Sequence, residues 1–216
     1  MPRAAFAASF LTAALVAGFH PPAAAQNLTE QDKTIHLLQR ATFGVRPEDV
    51  TTVMTQGRER WLDQQLRPDR IDDRPTAARL EQYESLKSNM GDMIAQFQAA
   101  QLQRRTDAQA RQMADTTMQP VRRVRALGLP PQAILAELVI AKLTRAVYSE
   151  RQLEEMMTDF WFNHFNVYFN KGLDRYMTAD YEANAIRPHV FGKFRDLLGA
   201  TAKHPAMLFY LDNAQS

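Results

Sequence analysis

The chain of 216 residues contains no cysteine. Without thiols it can form no disulfide framework and no thiolate metal site, and it has no cysteine nucleophile and no cysteine for a lipoprotein anchor. Glycine is scarce as well, with eight residues. The sequence contains no glycine-rich phosphate loop, no GxSxG nucleophile elbow and no HExxH zinc motif. The common sequence signatures of hydrolases and nucleotide-binding enzymes are therefore missing.

An excess of charge of either sign is also missing. The chain has 26 lysines and arginines against 24 aspartates and glutamates. A nucleic-acid-binding protein usually has a clear excess of basic residues, and this chain has none, so we expect no nucleic-acid partner. Long apolar runs are absent beyond the first 25 residues, which predicts no transmembrane span in the remainder of the chain.

The N-terminus has the arrangement of a secretory signal. Arg3 precedes an uncharged apolar stretch over residues 4–19, and Pro21 and Pro22 end it. This stretch is shorter than the roughly 20 residues that a membrane span requires. Ala23-Ala24-Ala25 supplies the small side chains that signal peptidase reads. We predict a signal peptide over residues 1–25 and a periplasmic or extracellular protein that begins near Gln26; an uncleaved anchor helix is the alternative.

Residues 26–216 have the periodicity of helices, and alternation typical of strands is rare. Thr29 to Asp32 and Arg46 to Asp49 are typical of helix starts, and Gly44 stands where a helix cap is expected. Pro68 ends a third short helix around Trp61. The sequence predicts a mainly α fold, a multi-helix orthogonal or bundle-like domain with no significant β-sheet.

Residues 76–118 differ from their surroundings, because they are rich in Gln, Ala and Arg. Their larger apolar side chains recur mostly three or four residues apart from Leu80 to Leu102, which predicts one narrow stripe on a long polar helix. We interpret the segment as a helical insertion. It is either a coiled coil that binds a partner or a surface helix that packs on its own domain.

The C-terminal part carries the densest apolar pattern. Pro131 begins a helix whose predicted apolar face includes Leu138 and Leu143, with Lys142 at its centre. Lys142 either extends its ammonium group to solvent or pairs with Asp159 or Glu155 on the next helix. That next helix, ERQLEEMMTDFWFNHFNV, is predicted to start at a capping box of Ser149 and Gln152. Further helices are predicted over about 178–186, around Val190 to Leu198, and from Pro205.

Three blocks of the sequence carry a resemblance to a known family. HLLQRATFGVRPEDV, DFWFNHFNV and IRPHVFGKFRDLLGATAKHPAMLFYLDNAQS occur in this order and resemble the bacterial family called domain of unknown function 1800. The resemblance covers most of residues 35–67 and 131–216. It implies an exported, mostly helical protein with no established activity, of which residues 26–216 would be the N-terminal part of one helical domain. Members are often encoded beside an exported sulfatase-like family, which implies a partner.

The candidates for chemistry lie among the histidines. We take His164, His189 and His204 as candidate metal ligands, and His164, Asn163 and Asp159 as candidate catalytic residues. Imidazole and carboxylate groups are suitable ligands for a divalent metal, but no recognised motif supports one and the cofactor is left open. A histidine bonded inside the core is the alternative for His164, which lies on the apolar face of its predicted helix. His204, before Pro205, is expected to mark a helix boundary.

Two function hypotheses follow, and whether the protein is an enzyme is left open. The first is a partner-binding or structural module of the cell envelope, with the sulfatase-like protein as its partner. The alternative is a metal-assisted hydrolase that uses His164 and nearby Asp and Asn groups. The missing catalytic motifs favour the first hypothesis.

Overall fold

The computed structural model of the protein describes residues 28–113 and 130–213. Its helices are α1 (Glu30–Ala41), α2 (Pro47–Gln56), α3 (Arg58–Gln65), α4 (Arg74–Leu80), α5 (Met90–Met113), α6 (Pro131–Tyr148), α7 (Gln152–His164), α8 (Asp174–Asp180), α9 (Phe194–Lys203) and α10 (Pro205–Tyr210). Three short 3-10 turns and one π-helical segment, Tyr181–Ile186, join them. No strand occurs in these two ranges, and the predicted mainly α fold is confirmed. None of the described helices has the length and apolar character to cross a membrane.

The first helix begins where the sequence predicts. Thr29 Oγ1 accepts a hydrogen bond from the Asp32 amide, and the Asp32 carboxylate accepts one from the Thr29 amide, each at 3.1 Å. This reciprocal capping satisfies two amides that the first turn leaves without partners. The predicted role of Gly44 is wrong, because α1 ends at Ala41 and its capping residue is Thr42, in extended conformation. The Thr42 hydroxyl donates to the Leu38 carbonyl at 2.8 Å, so no left-handed glycine cap is needed.

The segment predicted as one long polar helix is divided. The chain leaves α4 after Leu80, and α5 starts only at Met90, so the single stripe is corrected to two separate helices. The break is tied to α6, where the Ser85 amide donates to Glu137 Oε2 at 2.8 Å. The start of α5 packs on its own domain through Phe97, whose ring lies 4.9 Å from that of Tyr176. Residues 114–118 of the predicted insertion lie outside the described residues.

The connection between α6 and α7 also differs from its prediction. Ser149 ends α6, and α7 starts after Arg151, so Ser149 and Gln152 do not form a capping box. The Gln152 side chain instead donates to the Ser149 carbonyl at 2.8 Å. The Ser149 hydroxyl accepts from the Arg151 amide and donates to Asp73 Oδ2 at 2.9 Å. These bonds fold the connection tightly, so α6 and α7 become adjacent.

The main apolar core surrounds the π-helical segment. Tyr181 is fully buried there, and its hydroxyl donates to the Phe165 carbonyl at 2.7 Å. Ile186, also fully buried, and Ala206 on α10 belong to the same cluster. A π-helical turn contains more residues than an α-helical turn, and such segments are frequent at functional sites. Here the segment follows α8 directly, and it brings a charged residue, Glu182, into the interior.

Candidate functional site

The described residues contain a compact group of charges between α6, α7 and the chain that follows them. We call it the Glu182 cluster, and its members are Lys142 and Arg145 of α6, Glu155 and Asp159 of α7, Glu182 of the π-helical segment, and Arg187. The two cations of α6 are three residues apart and the two acids of α7 are four apart. Each pair therefore lies on one face of its helix. The cluster forms because these two faces meet.

Glu182 is the most buried member, with its side chain 3 % exposed. Its Oε1 lies 3.3 Å from Arg187 Nη2 and 3.6 Å from Arg145 Nη1. Its Oε2 lies 3.3 Å from Lys142 Nζ, an ion pair that lacks the geometry of a hydrogen bond. Burial of a carboxylate is costly unless opposite charges surround it. Three cations serve that purpose here.

Arg187 and Arg145 are both mostly buried, but they are bound very differently. Arg187 forms a two-pronged pair with Glu155, with N–O distances of 2.7 and 2.8 Å. Burial by itself lowers the pKa of Arg187, but the hydrogen bonds and charge of Glu155 outweigh burial and raise it above its usual range. For Arg145, burial and the nearby Arg187 charge lower the pKa. Arg187 is thus the strongly bound cation of the cluster.

Lys142 pairs with Asp159, one of the two carboxylates that the sequence suggested. Its Nζ lies 2.9 Å from Asp159 Oδ1 and 4.1 Å from the centre of the Phe162 ring. The apolar face predicted around Lys142 is nevertheless wrong in part. The most buried side of α6 carries Ile134, Leu138 and Ala141, whereas Val139 is 46 % and Leu143 is 60 % exposed.

Two depressions adjoin the cluster. The apolar pocket, of about 340 Å³, is lined by Phe43, Val139, Lys142, Leu143, Ala146, Glu155, Thr158, Asp159 and Glu182. The charged cleft, of about 690 Å³, lies along residues 69–74 and is also lined by Ala77, Leu80, Arg145, Arg151, Glu154, Glu155 and Arg187. Glu155 contributes to both depressions. Their volumes fall in the range of ligand sites, about 300–1,000 Å³.

The structure brings together two of the three predicted catalytic candidates. The Asn163 amide donates to Asp159 Oδ2 at 3.2 Å and to the Asp159 carbonyl at 2.9 Å. His164 is the last residue of α7, and it is exposed. Its ring stands edge-on to those of Trp161 and Phe165, with centroids 5.5 and 4.8 Å away. The interpretation of His164 as a histidine bonded inside the core is wrong, because α7 ends there and leaves the imidazole at the surface.

The other histidines lie on separate elements. His204 caps α10, and this confirms the predicted helix boundary. Its Nδ1 accepts from the Ala206 amide at 3.2 Å, and its Nε2 lies 2.9 Å from Asp180 Oδ2, so both ring nitrogens are bonded. His189 is half-buried at the end of a 3-10 turn. Among the residues the structure describes, no three His, Asp or Glu side chains form a group that could hold a metal ion.

Arg145, Glu182 and Arg187 were not predicted as site residues from the sequence. Glu182 and Arg187 are five residues apart, a spacing that does not place two side chains on one face of an α-helix. The π-helical segment removes this obstacle, since the Arg187 amide bonds to the Glu182 carbonyl. One sequence pattern could have located part of the cluster. Basic residues at positions 142 and 145 and acids at positions 155 and 159 lie on successive helices, each pair on one helix face.

Replacement of His164 by alanine is expected to change the free energy of unfolding by about 0.5 kcal/mol or less. The position is exposed, so the substitution opens no buried cavity. Thermal melting of both proteins, with and without chelator, measures this. A wild-type melting temperature that falls on chelation, with no fall in the variant, would contradict the expectation and identify His164 as a metal ligand.

Comparison with known proteins gives a family but no characterised relative. The family model described as "Protein of unknown function (DUF1800)" matches residues 36–216. No curated protein matches the chain, and no solved structure matches it. The matched range contains all three sequence blocks that carry the resemblance, as well as the whole Glu182 cluster. The chain belongs to the DUF1800 family of proteins of unknown function.

Proposed function

We propose that the protein is a partner-binding module, and that its contact surface is the outer side of α6. We call this surface the α6 stripe; it consists of Val139, Ile140, Leu143 and Val147, which are 44–60 % exposed. The inner side of the same helix is also apolar and is covered by the chain itself. A helix that is apolar on opposite sides is typically buried on both. This is the observation that carries the proposal.

The spacing of the α6 stripe fits a helix as its occupant. Ile140, Leu143 and Val147 follow one another at three and four residues, which is the spacing of anchors in helix-to-helix contacts. The apolar pocket opens beside the stripe between Val139, Leu143 and Phe43. A pocket of this kind accepts a single large apolar side chain, the usual centre of a binding interface.

Charge also limits the kind of partner. Lys142 and Asp159, which line the apolar pocket, already pair with each other at 2.9 Å. The surface therefore needs no charged counterpart, and an apolar helix face complements it. We propose as the occupant an amphipathic helix of the exported sulfatase-like protein that the family resemblance implies.

Export is part of the same proposal, because the partner is an exported protein. It is supported by the signal-like order of residues 1–25, with Arg3, an apolar run and Ala23-Ala24-Ala25 before Gln26. N-terminal sequencing of the protein recovered from the periplasm tests it. A sequence that begins at Gln26 or within a few residues supports export with cleavage, whereas an intact Met1 contradicts it.

Leu143→Asp is expected to weaken binding of the sulfatase-like partner by about a hundredfold. The substitution places a charge in the middle of the α6 stripe, where Leu143 is 60 % exposed and contributes little to the fold. Isothermal titration of the purified partner into the mature chain measures the affinity, and circular dichroism checks that the variant is folded.

The matched control is Leu102→Asp, at a similarly exposed leucine of α5 (68 %). It should leave the affinity unchanged. If Leu102→Asp weakens binding and Leu143→Asp does not, the interface lies on α5, as the coiled-coil interpretation of the insertion requires. No measurable binding by the unaltered chain would contradict the choice of partner.

A further inference from the structure

Arg145 is a mostly buried guanidinium with few partners. Its side chain is 19 % exposed, and its nearest carboxylate oxygen, Glu182 Oε1, is 3.6 Å away. This is the only ion-pair contact of Arg145 with the part of the chain that the structure describes. Arg187, which contacts the same oxygen of Glu182, makes two short bonds to Glu155. A guanidinium has five N–H donors in a fork that fits a carboxylate, so Arg145 retains donors for an external group.

Arg145 lines the charged cleft. Most other charges of the cleft are already committed. Asp72 binds Arg74 at 2.6 Å, and Asp73 accepts from the Ser149 hydroxyl and the Glu150 amide. Arg151 donates to the Ile71 carbonyl at 3.0 Å. Arg145 is therefore the buried cation with the capacity to bind an incoming anion.

The lining also limits the class of anion. Five arginines and five acids line the charged cleft, namely Arg70, Arg74, Arg145, Arg151 and Arg187 against Asp69, Asp72, Asp73, Glu154 and Glu155. Because the acids equal the arginines in number, their repulsion opposes a dianion more strongly than a monoanion. Ile71, Ala77 and Leu80 add an apolar wall, which suits a hydrocarbon or aromatic body.

We propose that the charged cleft is a binding site for a small apolar monocarboxylate, whose carboxylate pairs with Arg145 through two parallel hydrogen bonds. The apolar body of the ligand lies against Ile71 and Leu80. This site is separate from the α6 stripe, so it goes beyond the partner-binding function. Binding there gives Arg145 the short, two-pronged carboxylate contact that its 3.6 Å approach to Glu182 does not provide.

Benzoate is the probe, because it joins a planar carboxylate to an apolar ring. We expect its titration into the mature chain, followed by nitrogen-15 NMR, to shift the side-chain Nε–H signal of Arg145 in a saturable way. Arg145→Gln should weaken the binding of benzoate about ten- to hundredfold, because it removes two charge-assisted hydrogen bonds. Arg145→Lys, which keeps the charge without the fork, should weaken it less.

Arg67→Gln is the matched control. Arg67 is half-exposed and pairs with Asp63 at 2.8 Å, outside the charged cleft. Like Arg145→Gln, Arg67→Gln removes one positive charge, but it should leave benzoate binding unchanged. If Arg145→Gln does not fold, the benzoate affinity of Arg145→Lys tests the proposal instead. Absence of a saturable shift, equal binding by the Arg145 variants, or tighter binding of inorganic phosphate than of benzoate would each overturn the proposal.

Discussion

Arg187→Gln is expected to lower the free energy of unfolding by about 3 kcal/mol. Arg187 holds Glu155 with two hydrogen bonds, and both side chains are mostly buried, at 20 % and 8 % exposure. The substitution leaves Glu155 buried without its cation and removes one of the three cations around Glu182. Denaturant unfolding followed by circular dichroism measures the loss.

The control for this prediction is Arg67→Gln, which breaks an ion pair that is about half-exposed on both sides. It should cost less than about 1 kcal/mol, because water screens such pairs. A second test replaces both members of the buried pair, as Arg187→Met with Glu155→Leu. This double variant should recover part of the loss, since no unpaired charge remains. Equal effects of Arg187→Gln and Arg67→Gln would contradict the importance of the buried pair.

Asp174→Asn is expected to stabilise the protein by about 2 kcal/mol at pH 7 and by much less at pH 4. Asp174 is fully buried at the start of α8, and neither carboxylate oxygen has a hydrogen-bond partner among the described residues. Burial raises the pKa of Asp174 to about 6, and the charge of Lys171 only partly opposes this.

The sign of the pH dependence follows from that pKa. The folded protein holds the Asp174 proton more tightly than the unfolded chain, whose carboxyl titrates near 3.8. This contribution to stability is fully present below about pH 4 and is lost as the pH rises through about 6. Asparagine has no charge to bury, so its advantage appears only at the higher pH.

Chemical unfolding of both proteins at the two pH values measures the difference. The matched control is Asp196→Asn, in the first turn of α9, where the side chain is exposed. It should slightly reduce stability at pH 7, because it removes a favourable interaction with the helix dipole. A loss of stability in Asp174→Asn at pH 7 would mean that the buried carboxylate has a partner.

Local chemistry at helix starts was predictable from the sequence. Thr29 with Asp32, Pro47, Pro131 and Pro205 each mark a helix start in the structure, because capping and proline geometry act within one turn. His204 was predicted as a boundary for the same reason. Such signals need only neighbours in the chain.

The largest errors involve contacts between distant residues. The break between α4 and α5 depends on the bond from Ser85 to Glu137, 52 residues away, which no local pattern encodes. The exposure of His164 depends on where α7 ends. The Glu182 cluster required knowing that α6, α7 and the π-helical segment meet, and that the segment is not α-helical. Of the cluster, only the pair of Lys142 and Asp159 could be predicted from the sequence. A lysine within an apolar pattern needs a carboxylate partner, and the next helix offers one.

The composition of the Glu182 cluster also bears on how the protein opens. Helix α7 supplies two of its three negative charges, while Lys142, Arg145 and Arg187 come from other parts of the chain. If α7 separated alone, three cations would face Glu182 only, and their mutual repulsion would oppose that partial state. This repulsion raises the free energy of a state in which only α7 has separated, relative to one in which the whole cluster has opened. We therefore expect helices α6 and α7 and the π-helical segment to open as one cooperative unit, with amides that exchange with solvent together rather than helix by helix.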